Sequence, residues 1–212
     1  MKTLLAIGLP ISCQDGLIQI SFLIITAIAN SRGVEVAAAV GIVEKVISFL
    51  FLVPSAMLST VAAFAAQNAG AGNDARGRQA LRYGIRVCIV FGLLTTLFVH
   101  FRAEWVVSLF VTHEPEVVRL GGEYFRTYVI DCIFAGIHFC FSGYFSAYGK
   151  SIYSFLHNMI SIVTVRVPGT YLAIPLFPDT LSPMGLAAPM GSLLSAVICV
   201  GLYMWKFRKS EN

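Results

Sequence analysis

The sequence predicts an all-α membrane protein of six spanning helices, and three observations carry that prediction. Hydrophobic residues make up 57% of the chain and charged residues only 12%, about half the ~25% charged typical of soluble domains. Several apolar runs reach or exceed the ~20 residues that an α-helix needs to cross the ~30 Å hydrocarbon core of a bilayer. The charges gather in the short turns between these runs and alternate in sign from one turn to the next.

The first span is predicted over residues 4–28. Met1-Lys2 and an apolar run open like a secretory signal, but the hydrophobicity continues past Gln14 and Asp15 to Ile28, too far for a signal h-region, so an uncleaved span is expected. Residues 30–33 form a turn. The second span, residues 36–67, is overlong and must tilt or bend. Pro54 deletes one backbone hydrogen bond and clashes with the preceding turn, so the bend is expected there, with Ser55, Ser59 and Thr60 covering the freed carbonyls. Gly70 and Gly72 stop this helix, and Arg76, Arg78, Arg82 and Arg86 follow within the loop and the next helical turns.

The third span is predicted over residues 80–101. Residues 104–111 read as a short amphipathic helix at the membrane interface, closed by His113-Glu114-Pro115-Glu116. The fourth span, 117–148, is again overlong and ends at Gly149. The fifth, 152–176, contains Arg166 and Pro168-Gly169, and a Pro-rich loop follows it. The sixth, 185–205, runs into a basic end formed by Lys206, Arg208 and Lys209. Spans and short turns consume the 212 residues as a single six-helix unit, with no soluble domain expected.

Lys2, the 76–86 arginines, Lys150 and the 206–209 cluster fall on one side of this topology. Arg32, Arg102 and Arg119 fall on the other, with Glu35, Glu104, Glu114, Glu116 and Asp179. The positive-inside rule therefore predicts a multi-pass protein of the plasma (cytoplasmic) membrane with both termini in the cytoplasm. Topology accounts for the net charge of +4, so no nucleic-acid partner is expected, and membrane lipids are. The five cysteines lie in apolar runs without a C-x-x-C pair and read as buried thiols. The four histidines suggest no metal site. No nucleophile elbow, zinc-protease, phosphate-loop or dinucleotide motif occurs, so the protein is expected to be no enzyme and to use no cofactor beyond a coupling ion.

Charges inside the spans are the functional signal, because a central charge costs ~2.5–3.5 kcal/mol on insertion scales and persists where it pairs or lines a wet cavity. Asp15, Glu44, Lys45, Asp131 and Arg166 are such residues. At the helical rise, Asp15 lies roughly 16 Å from the start of the first span and Glu44 roughly 12 Å from the start of the second, which describes a polar pocket open to the outside. Two readings stand for Asp131. In one it exchanges H⁺ or Na⁺ for a cationic substrate, with Tyr128 and His138 on the same helical face; in the other it forms a structural ion pair with Lys45 or Arg166. Glu44 and Lys45 point about 100° apart, so one faces the cavity, expected to be Glu44, while Lys45 snorkels or meets Asp131. Gln14 and Asp15 complete the candidate set. Gly41, Gly136 and Ala37-Ala38-Ala39 are expected to permit close helix approach.

Pro54-Ser55-Ala56-Met57, followed by Ala65-Ala66-Gln67-Asn68-Ala69-Gly70-Ala71-Gly72 and a basic helix start, resembles the second helix of the C-terminal lobe of multidrug and toxic-compound extrusion (MATE) transporters. Gly8-Leu9-Pro10-Ile11-Ser12 resembles the first helix of that lobe. The resemblance implies one six-helix lobe of a Na⁺- or H⁺-coupled antiporter that exports organic cations or drugs by rocking against a second six-helix lobe. It also implies an acidic coupling residue on the fourth span, a place that Asp131 matches. Family members carry a glutamate two turns after the first helix's proline, and here Ile18 stands there with Gln19 beside it, so that ion site is not carried over. Two alternatives are a lipid-linked-sugar flippase of the same superfamily, which calls for a more basic cavity than Lys45 and Arg166 provide, and a non-transporting lobe or membrane scaffold.

Overall fold

The computed structural model describes residues 2–111 and 113–206. Arg208 and Lys209 of the basic end lie outside the described residues, as does the side chain of Lys2. The described residues form nine α-helices and one π-turn: α1 (Lys2–Asn30), α2 (Val34–Leu50), α3 (Leu52–Gly70), α4 (Asp74–Ser108), α5 (Pro115–Tyr128), α6 (Asp131–Ala147), α7 (Ser151–Ser161), the π-turn Ile162–Arg166, α8 (Val167–Leu176) and α9 (Ser182–Lys206). Five stretches, 8–30, 34–70, 74–108, 151–176 and 182–206, are long and apolar enough to cross a membrane. The α5–α6 pair, bent by 43°, makes a sixth.

Four of the six spans are broken, three of them between two helices or at the π-turn and one inside α4. The second span bends at Phe51, between α2 and α3. Pro54 has no N–H to give to the Leu50 carbonyl, and its ring pushes against that turn, so the break falls three residues before the proline. Ser59 and Thr60 do not cap the freed carbonyl. They donate instead to the carbonyls of Ser55 (3.3 Å) and Ala56 (2.8 Å), one turn behind each of them. The fifth span carries the π-turn immediately before Pro168, with the Val167 N–H bonding back to the Ile162 carbonyl. This widened turn accommodates the proline ring without ending the span. The fourth span, predicted as one helix, breaks at Val129-Ile130, so Asp131 begins α6 rather than lying inside a continuous helix.

A further break divides α4 at Arg102 (φ −127°, ψ 15°). The residues beyond it pack onto α5 through Ala103 and Val107, which are buried, while Trp105, Leu109 and Phe110 are exposed. A Cβ at Gly121 would come within 2.9 Å of Val107. Arg126 of α5 ties the kink down, donating to Glu104 (2.9 Å) and to the His100 carbonyl (3.4 Å).

The turns gather at two opposite ends. At one, the Tyr148 hydroxyl donates to Asp74 (2.8 Å) and Lys206 donates to the Tyr153 hydroxyl (2.9 Å). Gly72 and Gly149 close turns at that end with left-handed φ of 72° and 69°. At the other end, Arg32 donates to the carbonyls of Pro178 and Thr180. The Glu123 carboxylate accepts from the Leu181 N–H (3.2 Å), Ser182 (3.2 Å) and Thr180 ahead of α9.

Helix α6 is the centre of the lobe, packed by α3, α4, α7 and α9 and buried along most of its length. It can sit there because small residues thin it where its neighbours cross. Gly136 abuts Cys88 of α4, and Gly143 abuts the Leu58 carbonyl of α3. The predicted role for Gly41 does not hold, since nothing lies within 4 Å of a Cβ built there. Four of the five thiols are buried as predicted, but Cys13 is exposed.

Candidate functional site

The breaks in the fourth and fifth spans bring a charged cluster to the middle of the lobe. Tyr128 closes α5 and Asp131 opens α6, so the 43° bend lies between them. The π-turn in the facing span ends at Arg166 and turns its guanidinium onto them. Arg166 Nη2 donates to the Tyr128 hydroxyl at 2.6 Å, and its guanidinium carbon lies 4.9 Å from the Phe22 ring centre on α1. Among the described residues, Asp131 and Arg166 are the only charged side chains below a tenth exposed.

Asp131 and Arg166 do not form a contact ion pair. Neither Asp131 oxygen has a hydrogen-bond partner among the described residues, and Arg166 Nε has none either. Glu44 joins from α2. Its Oε2 accepts from Thr26 on α1 at 2.9 Å, while Oε1 is buried without a partner. Both carboxylates act electrostatically on Arg166 and on Tyr124 and Tyr128, whose rings meet edge to face with centres 5.4 Å apart. The arrangement is two carboxylates within electrostatic reach of one guanidinium, which is itself held by Tyr128 and Phe22.

A small cavity of ≈10 Å³, the space of about one water, lies beside Arg166. It is lined on its polar side by Arg166, His138, Asn158, Ser161 and Ser192, and on its apolar side by Ile18, Phe51 and Phe139. Those three apolar residues also line an open recess of ≈320 Å³ on the other side, together with Asp15, Gln19, Phe22, Ser48, Leu52 and Ser55. Phe51 and Phe139 meet edge to face with ring centres 6.2 Å apart. The single outward-open polar pocket expected from sequence is therefore two spaces, with a thin aromatic and aliphatic wall between them.

The six predicted site residues divide accordingly. Asp131, Tyr128 and Glu44 belong to the buried cluster. Asp15 is exposed on the open recess, and Gln14, one residue and about 100° away around α1, is buried. Lys45 is exposed, so it does not meet Asp131; adjacent helical positions point about 100° apart, and Glu44 takes the inward one.

Sequence reasoning missed a second polar group. His157 is fully buried and bonds Ser142 on α6 (3.0 Å) and Ser195 on α9 (3.3 Å). Its ring centre is 5.5 Å from that of His138. The signal was present: Ser151, Ser154, Asn158 and Ser161 recur at helical spacing, and all are buried. In a membrane helix a polar stripe of that kind marks the inward face.

A lobe of broken spans around a buried charged cluster, with a recess against the cluster's outer wall, is the construction of a secondary transporter. The chain belongs to the MatE family, whose profile it matches over residues 10–172. It is 30% identical over 164 residues to a protein of Shewanella oneidensis named FAD transporter, covering 76% of this chain and 35% of that one. It is 26% identical over 204 residues to the probable multidrug resistance protein YpnP of Bacillus subtilis, covering 96% and 45%. Among solved structures it superposes on the Vibrio cholerae MATE transporter VcmN, in a single-substitution form, with TM-score 0.89 and 19% identity over 97% of this chain and 46% of that one. The chain thus spans less than half the length of these relatives, and they are transporters or resistance proteins rather than enzymes.

Proposed function

We propose that this chain is one lobe of a cation-coupled antiporter that exports organic cations, working against a second six-helix lobe laid across the open recess. The observation that carries the reading is Asp131: a wholly buried carboxylate with no cation in contact, within electrostatic reach of Arg166 and with the Ser192 hydroxyl beside it. With Glu44, two carboxylates oppose one guanidinium, leaving one formal negative charge to be balanced by one H⁺ or one Na⁺. In this reading the ion leaves when movement of the lobes wets the cluster, and the substrate rests in the recess near Asp15. The cytoplasmic placement of both termini and of the Gly72 and Gly149 turns follows from the charge distribution.

The test is Asp131→Asn in the transporter containing this lobe. Ion-driven efflux of an organic cation should be abolished while membrane insertion persists, and wild-type efflux from that variant removes Asp131 from coupling. A second reading comes from the Shewanella relative's name: an anionic flavin nucleotide as substrate. It is favoured by Lys45, which is exposed one helical turn from the recess residue Ser48. Counterflow of FAD against that of a cationic dye separates the two.

A further inference from the structure

We propose that the groove between α3 and α4 is a binding site for one anionic phospholipid, held by its phosphate at Arg82 and Arg86 and by an acyl chain along the helices. The groove encloses ≈390 Å³ and its walls are largely apolar, with Met57, Val61, Phe64 and Val87 along them. Gly84 lets the helices close at its floor, where a Cβ would sit 2.8 Å from Val61. An apolar hollow of this size between two membrane helices suits a hydrocarbon chain.

Its mouth is basic. Gln79 and Tyr83 belong to the groove and also to an adjoining pocket of ≈210 Å³ shared with Arg82 and Arg86. Arg76 stands over the Phe64 ring at 6.0 Å and Arg86 over the Tyr83 ring at 5.7 Å, so both guanidinium groups are drawn toward the groove. The ion pairs among the described residues include neither Arg82 nor Arg86. Setting topology needs arginines only in the loop, yet Arg82 and Arg86 lie within the predicted third span, Arg86 roughly 9 Å beyond its start at residue 80. A guanidinium at that depth is costly unless it reaches a counter-charge at the headgroup level. Basic pockets between membrane helices that open at one leaflet suit an anionic headgroup, and the continuous apolar groove adds the chain.

The purified chain in detergent, titrated with phosphatidylglycerol or phosphatidylcholine and weighed by native mass spectrometry, tests this. Phosphatidylglycerol adducts should survive at a concentration roughly thirtyfold lower than phosphatidylcholine adducts, from about 1 kcal/mol for each of the two arginines. Arg82→Gln with Arg86→Gln should abolish that preference, and Val87→Trp, which fills the groove and spares the arginines, should remove the adducts of both lipids. Equal binding of the two lipids by the native chain overturns the proposal. So does a preference that survives loss of both arginines, or unchanged adducts in Val87→Trp. A species at twice the chain mass that Val87→Trp abolishes gives the groove to a second copy and overturns it as well.

Discussion

Arg166 gives one hydrogen bond to Tyr128, at 2.6 Å, and rests its guanidinium against the Phe22 ring, so residues of three spans meet on one buried charge. Removing the acceptor with Tyr128→Phe leaves a charged donor unpaired in the interior. The expected cost is about 1.5–3 kcal/mol, the range for hydrogen bonds to charged groups, read as a lower unfolding midpoint in detergent. An unchanged midpoint would show that Arg166 finds another acceptor.

The same cluster predicts a rescue. Arg166→Met strips the only buried cation among the described residues from between Asp131 and Glu44. The loss should be about 3–5 kcal/mol, as when one partner of a buried charge group is removed. Adding Asp131→Asn removes a carboxylate left without its counter-charge, so the double variant should be more stable than Arg166→Met alone. If the second change lowers stability further, Asp131 and Arg166 are not energetically coupled.

The wall of Ile18, Phe51 and Phe139 should control water access to the interior cavity. In a Cys13→Ser background, a cysteine at Ser161 is expected to resist a water-soluble thiol reagent. Phe51→Ala should make that cysteine reactive, because it opens the wall toward the recess. Equal labelling with and without Phe51→Ala would mean that water reaches the cavity by another route.

Close packing of α6 predicts unequal costs among the glycines. Gly136→Ala pushes a methyl group into Cys88 and should cost about 1–3 kcal/mol as overpacking. Gly41→Ala meets open space and, sitting inside α2, should be neutral or stabilising by up to about 1 kcal/mol. Thermal unfolding of the two variants side by side checks the contrast.

The pairing of turns at two ends predicts labelling from opposite sides of the membrane. A cysteine at Asp179 should react with an impermeant reagent in intact cells, and one at Ala71 only after permeabilisation. The reverse pattern inverts the topology, and both reacting from one side contradicts the six-span arrangement.

Much of the fold was legible because crossing a bilayer is nearly a one-dimensional problem. Apolar length and the proline at 54 are properties of the chain alone, and the spans and the Phe51 break fall where these place them or within a turn of it. The inward placement of Glu44, Tyr128 and Asp131 could be argued from the cost of a charge in lipid. The fate of Lys45 and Asp15 could not, because periodicity ranks residues around a helix without saying which neighbour covers which face.

The sequence by itself determined how many spans there are, which turns share an end, and that a few charges would lie inside the spans, since these follow from transfer energies and helical length. Only the tertiary structure decided that Arg166 would face Tyr128 while standing off Asp131, that His157 would join Ser142 and Ser195, and that Phe51 and Phe139 would divide one expected pocket into two. The physical reason lies in the breaks at Phe51, at Val129-Ile130 and in the π-turn. Each rotates every later side chain about its helix axis by an amount that no regular helical period contains, and the packing of six spans fixes that rotation.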